Sequence, residues 1–252
     1  MEVKNREDIV LPVKMVPTIE IMPNMATTDA HHSAVIVSKP LDDGTEVDIL
    51  VNTCSDSYGL LPIANFINPF EEAAKIKSVI YRSNISRFEI SYILEDTFKV
   101  GRKVYNYLVK VVHSYDGSTS FKTFFGFVDS DEVEYFGVQG FDLNITHTDS
   151  AVDDMIEKTI ELTLEGQAPI FNLAKTMNEK KITPANALEI VLPMFGIEKE
   201  DESKVATWTG ELEGVKNYLD LYKVLMERLT GLTSLAKLGL AKRITNALLV
   251  NF

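Results

Sequence analysis

The stretch Val104-Tyr105-Asn106-Tyr107-Leu108-Val109-Lys110-Val111-Val112, followed by His113-Ser114-Tyr115-Asp116-Gly117-Ser118-Thr119-Ser120 and Phe121-Lys122-Thr123-Phe124-Phe125-Gly126-Phe127-Val128, decides the fold class of this chain. Both flanks are rich in β-branched and aromatic residues, which fit a pleated, half-buried surface. Asp116-Gly117 supplies the positive φ that a tight return needs, so 104–112 and 120–128 are expected to pair as an antiparallel hairpin. Upstream, residues 87–94 alternate, with Phe88, Ile90, Tyr92 and Leu94 on one face and Arg87, Glu89, Ser91 and Ile93 on the other. Two more short strands, Ala34-Val35-Ile36-Val37 and Val47-Asp48-Ile49-Leu50-Val51, flank a turn at Asp42-Asp43-Gly44-Thr45. Further back, Pro12, Pro17 and Pro23 exclude a helix interior and a central strand. Residues 1–30 therefore read as an extended arm, packed on protein through Ile9, Leu11, Val16, Ile19 and Ile21.

Helical signals take over downstream. One helix interrupts the strands near 69–77, where Asn68 caps, Pro69 takes the first position and Glu71 and Glu72 favour the positive end of the dipole. After residue 148 come a helix over 152–164 with Val152, Met155, Ile156, Ile160 and Leu164 on one face, and a second opened by Thr183-Pro184 and closed by Pro193. A third spans 211–229 with Leu212, Val215, Leu219, Tyr222, Met226 and Leu229 as its stripe, and a last one runs over 234–249 through Gly239. Strands followed by helices without regular alternation predict an α+β fold: an N-terminal arm (1–30), an antiparallel sheet region (31–147) and a helical region packed on it (148–252).

With 252 residues, 45% hydrophobic and 25% charged, the composition is that of a globular protein large enough to need no metal or disulfide. A single cysteine, Cys54, leaves no internal disulfide and points to a reducing compartment. No apolar h-region follows the first residues and no run approaches the ~18 apolar residues of a membrane span, so neither a secretory leader nor a membrane partner is expected. Net charge is −12, yet residues 75–127 hold nine basic and four acidic side chains, so the other 199 residues carry −17. Such segregation lets one part of a surface attract an anion while the rest resists non-specific contact.

Nucleotide, zinc-hydrolase and nucleophile-elbow motifs are absent, and the expectation is a protein without catalytic residues, metal or cofactor. His31-His32 near Asp29, and His147-Thr148-Asp149 with Asp153, read as solvated and helix-capping residues rather than ligands, Cys54 as a packing residue, and Asp129-Ser130-Asp131-Glu132 as a loop lacking the Gly and distal Glu of a calcium site. What is present is a mixture of cations and aromatics. Arg82, Arg87, Tyr92, Arg102, Lys103, Tyr105, Tyr107 and Lys122 are the candidate nucleic-acid-binding set, because a single strand needs cations for its backbone and flat faces for its bases. Along 103–111, Lys103, Tyr105, Tyr107, Val109 and Val111 share one face. That face is either a stacking platform or a core face whose tyrosine hydroxyls reach the edge.

Val51-Asn52-Thr53-Cys54-Ser55-Asp56-Ser57-Tyr58, then Leu60-Leu61-Pro62 and Asn65, resembles the "V-S-D-x-Y … N" element of a phage- and plasmid-related family of uncharacterised proteins found in mobile elements. Val112-His113-Ser114-Tyr115-Asp116-Gly117-Ser118 resembles that family's "N-S-Y-D-G-S" turn, with His113 in place of Asn. After Phe125-Gly126-Phe127 the family's "R-x-V-C-x-N-G" is missing, and Val128-Asp129-Ser130-Asp131-Glu132 stands there instead. The resemblance spans about 47–165 and implies a phage or mobile-element origin within a replication or recombination module, with no catalytic residues. The expectation is therefore a phage-encoded, non-enzymatic protein that binds single-stranded DNA in the cytoplasm of the infected bacterial host, with other phage replication proteins and further copies of itself as partners. The alternative is a virion or assembly protein acting through subunit contacts.

Overall fold

The computed structural model describes residues 2–18, 32–55, 58–136, 143–145, 157–158, 160–161, 165, 167–229 and 234–250. The fold is α+β, with antiparallel sheets in the N-terminal two-thirds and helices in the C-terminal region. The described strands are β1 (Glu2–Lys4), β2 (Val13–Pro17), β3 (His32–Pro40), β4 (Glu46–Ser55), β5 (Ile76–Ser83), β6 (Arg87–Val100), β7 (Lys103–Ser114), β8 (Phe121–Val128), β9 (Glu134–Phe136) and β10 (Leu143–Ile145). The helices are α1 (Ala64–Ala73), α2 (Gln167–Glu179), α3 (Pro184–Met194), α4 (Glu202–Leu212), α5 (Tyr218–Glu227) and α6 (Ser234–Val250). One sheet has the order β1-β5-β6-β7-β8-β10, with β9 also on β8, and a smaller sheet has the order β2-β3-β4. β7 and β8 are hydrogen-bonded neighbours joined by residues 115–120. A connection this short returns the chain antiparallel, since a parallel return needs a crossover of a dozen residues or more. Gly117 sits at φ 71° in that turn, so the hairpin forms where the Asp-Gly pair placed it.

The chain divides into two compact units, Met1–Tyr92 with Lys110–Thr123 and Leu143–Leu164, and Ile93–Val109 with Phe124–Asp142 and Glu165–Phe252. In the first, α1 lays Phe66, Ile67 and Phe70 into the core. The Phe66 ring lies 5.1 Å from both Phe70 and Phe121, and Phe70 lies 4.7 Å from Tyr92. The helix begins five residues before the expected Pro69 start and ends at Ala73, with Pro69 inside it. Burial of the Phe66 and Phe70 pair, one turn apart, draws the preceding residues into the helix. The hydrogen bond that Pro69 forgoes would have gone to the carbonyl of Asn65, an exposed residue. In the N-terminal stretch, β1 pairs with β5, β2 pairs with β3 from the sheet edge where Pro12 and Pro17 are tolerated, and Ile9 is 1% exposed. Leu11 and Val16 are half-buried, while Ile19, Ile21 and Pro23 lie outside the described residues. The smaller sheet carries the expected hairpin, with Val37 opposite Ile49.

The core of the second unit is aromatic. Phe127 stacks on Tyr135 at 4.6 Å, Phe98 lies 4.8 Å from Tyr107 and 5.8 Å from Phe171 of α2, and Tyr135 meets Tyr222 of α5 at 5.4 Å. Gly126 permits the β8–β9 contact, because a Cβ there would stand 1.9 Å from the Tyr135 carbonyl oxygen. Of the expected helices, α3 is framed as read: the Thr183 hydroxyl accepts from the Asn186 N–H at 3.2 Å, and Pro193 is the penultimate residue. α6 runs through Gly239 as read. The helix expected over 211–229 is instead two, α4 and α5, because Asn217 caps a new start and accepts from the Asp220 N–H at 2.9 Å. Leu212, Val215 and Leu219 are buried across this break, which made one stripe of two helices. The helix expected over 152–164 lies largely outside the described residues, and α2 was not anticipated.

Candidate nucleic-acid interface

The eight candidate residues separate between the two units: Arg82, Arg87, Tyr92 and Lys122 belong to the first, and Arg102, Lys103, Tyr105 and Tyr107 to the second. The stacking platform does not form from the tyrosines. Tyr92, Tyr105 and Tyr107 are 0%, 1% and 7% exposed, and their rings pack on Phe70, Phe98 and Phe127. From Tyr107 onward β7 is buried on both of its faces, so neither offers a platform. Burial pushes the Tyr105 phenol up to about 12 and raises those of Tyr92 and Tyr107 as well.

Most of the cations have carboxylate partners within the protein. Arg82 lies 3.6 Å from Glu89, whose carboxylate is 2.6 Å from Lys110. Lys110 is wholly enclosed, so it adds nothing to an external field despite counting toward the positive segment. Arg87 donates to Asp116 at 2.7 Å. Burial alone would raise Asp116, but hydrogen bonds from Ser118 and the Arg87 guanidinium outweigh it and hold the carboxyl at about 2. Lys122 is half-buried. Lys103 is exposed and stands 3.9 Å from Asp220.

What the second unit does bring together is the turn between β6 and β7. Lys99, Arg102 and Lys103 are all exposed within five residues around Gly101, and Val104 is exposed beside them. Arg102 and Lys103 were in the candidate set. Lys99 stood out only as part of the charge excess, although its position four residues before Lys103 across a glycine was the signal that would have placed it on the same hairpin tip.

The remaining chemistry-bearing residues are engaged structurally. Glu71 accepts hydrogen bonds from the Arg6 Nε at 2.8 Å, from the Tyr92 hydroxyl at 3.2 Å and from the Tyr81 hydroxyl, which ties the N-terminal segment to α1 and the sheet. His113 is buried with its Nε2 2.9 Å from the Leu61 carbonyl. Cys54 is half-buried and its thiol lies 3.6 Å from the Ser33 carbonyl. Asp129 accepts from the Asp131 and Val133 N–H groups and from Tyr135, and Lys223 pairs with both Asp129 and Asp131, so the acidic run is a hydrogen-bonded, ion-paired loop. His32 is exposed, whereas His31, His147, Asp149 and Asp153 lie outside the described residues. Among the described residues no group of three His, Cys, Asp or Glu side chains is placed to hold a metal, and no helix is long and apolar enough to cross a membrane. Compared with known protein families, with curated proteins and with solved structures, the chain matches none.

Proposed function

We propose that this chain is a non-enzymatic protein of phage or mobile-element origin that holds single-stranded DNA by its phosphates, at the β6–β7 hairpin tip, during replication or recombination in the host cytoplasm. The observation that supports this reading is the exposure of Lys99, Arg102 and Lys103 on one tight turn of a chain whose net charge is −12. A basic tip on an acidic body guides an anionic polymer to one place and repels it from the others. Base stacking on Tyr92, Tyr105 or Tyr107 plays no part, since burial removes their faces from reach.

The test is fluorescence anisotropy of a labelled single-stranded oligonucleotide titrated at two salt concentrations. Contact with about three phosphates gives a log–log slope near −2, and K99Q or R102Q should each flatten it by roughly 0.7. Tyr105→Ala should instead lose about 3–5 kcal/mol of stability through the cavity it leaves, with the salt slope unchanged in the folded fraction. Absence of binding at low salt would remove the nucleic-acid reading. The assembly-protein reading would then stand in its place, favoured by the apolar side chains exposed on the β3–β4 hairpin.

A further inference from the structure

The β3–β4 hairpin is exposed at its tip and at the start of β4. Every residue from 39 to 48 is exposed. Of the five large apolar side chains that are exposed among the described residues, Leu41, Val47 and Leu50 all belong to this hairpin, with Val47 at 43% and Leu50 at 45%. β4 is also an edge: β3 lies on one side of it, and no described strand lies on the other. An edge strand presents a row of backbone N–H and C=O groups, which proteins normally protect by keeping the strand short or by placing Lys or Pro on it. β4 is ten residues long and contains neither. Its register shift against β3 falls at Val51, so residues 46–50 form a regular edge.

The sequence of this edge is complementary to itself in one antiparallel register. A two-fold axis at Ile49 places Ile49 against its own copy and Asp48 against Leu50, all within the regular edge. No carboxylate of the regular edge then meets another. A shift of the axis to Asp48 would set two aspartates directly opposite each other, which is destabilising. In the chain itself Asp48 is already held by Lys14 at 2.9 Å and accepts from the Ser38 hydroxyl at 2.6 Å, which leaves its carboxylate partnered as the strand edge is covered.

We infer that β4 pairs antiparallel with β4 of a second copy of the chain about a two-fold axis at Ile49, joining two three-stranded sheets into one of six strands. Such an interface is isologous, with the same patch used by both copies. It is independent of nucleic-acid binding, because its readouts are mass and cross-linking.

Light scattering on the full chain at tens of micromolar should give twice the mass of 28.2 kDa. Val47→Lys and Leu50→Lys, both at exposed positions, should return it to the monomer mass with an unchanged circular dichroism spectrum. In a Cys54→Ser background, Ile49→Cys should form a disulfide with its own copy on oxidation, because directly opposite residues in an antiparallel pair lie within the roughly 4.4–6.8 Å Cα separation a disulfide spans. If Ile49→Cys folds poorly, an equimolar mixture of the Asp48→Cys and Leu50→Cys chains should cross-link instead. Val3→Cys, exposed on β1, should not. A wild-type chain that stays monomeric, a dimer that survives Val47→Lys and Leu50→Lys, or cross-linking by Val3→Cys equal to that at β4 would each overturn the inference.

Discussion

Glu89 and Lys110 form an ion pair that water does not reach, and separating them is the most informative perturbation of the first unit. Glu89 is 3% exposed and Lys110 0%, with 2.6 Å between their charged atoms. Breaking a buried pair by removing one partner typically costs about 3–5 kcal/mol, because the surviving charge stays desolvated. The two single variants should differ within that range. Lys110→Met leaves Glu89 with Arg82 at 3.6 Å, so its cost belongs near the lower end. Glu89→Gln strips the carboxylate from both Lys110 and Arg82, so its cost belongs near the upper end. For a chain of this size each kcal/mol lowers Tm by roughly 2–4 °C, which puts the single variants about 6–20 °C below wild type. The double variant no longer strands the charge that each single leaves behind, so it should cost about 2 kcal/mol less than the sum of the two. Hydrogen exchange at the β6 and β7 amides in denaturant is the suitable readout, since the lone Trp208 reports on the second unit. Single-variant losses below about 1 kcal/mol, or strict additivity in the double, would refute the reasoning.

Three further outcomes are expected. Gly126→Ala should unpair β9 and sharply lower the melting temperature of the second unit, because its Cβ would stand 1.9 Å from a backbone oxygen that no rotamer can move; a wild-type melting curve would contradict this. Ile85 sits at φ 75°, a left-handed conformation costing a β-branched residue about 1–2 kcal/mol, so Ile85→Asn should give a net gain of roughly 0.5–1 kcal/mol in urea unfolding, and a loss would show that Ile85 packing outweighs the strain. Asp116, held at about 2 against an ordinary value of 3.8, stabilises the folded chain fully above about pH 4 and loses that contribution as the pH falls from 4 toward 2. Asp116→Asn should therefore lower Tm at neutral pH and converge on wild type near pH 2, while an equal gap at both pH values would rule the linkage out.

The elements legible in the sequence are those whose signals sit on adjacent residues. Asp116-Gly117 supplied the hairpin turn, the alternation at 87–94 gave the strand, and Thr183-Pro184 with Pro193 framed α3. In each case a backbone preference and its satisfying side chain lie within a few positions of one another. The boundaries that shifted did so where distant packing overruled a local preference. Pro69 looked like a helix start, but burial of Phe66 and Phe70 in the core drew the helix back to Ala64. One helix ended at Leu212 and Asn217 began another inside an unbroken apolar stripe, because a stripe records burial and not backbone continuity.

For the candidate site, the sequence alone determined which residues share a face of β7, since a strand has a period of two whatever surrounds it. It did not determine which face is inside. Tyr105 and Tyr107 alternate with Val104 and Leu108, and both sets are apolar enough to be buried. Only the tertiary structure settled this, by packing Phe98, Phe127 and Tyr135 around Tyr105 while leaving Val104 exposed and burying Leu108 as well. Charge followed the same rule: composition gave the positive excess of residues 75–127, but Lys110 became an interior ion pair, while Lys99, Arg102 and Lys103 stayed in water. An ionic side chain's value to a partner depends on what else lies within a few ångströms of it, and that distance is set by residues far away in the chain.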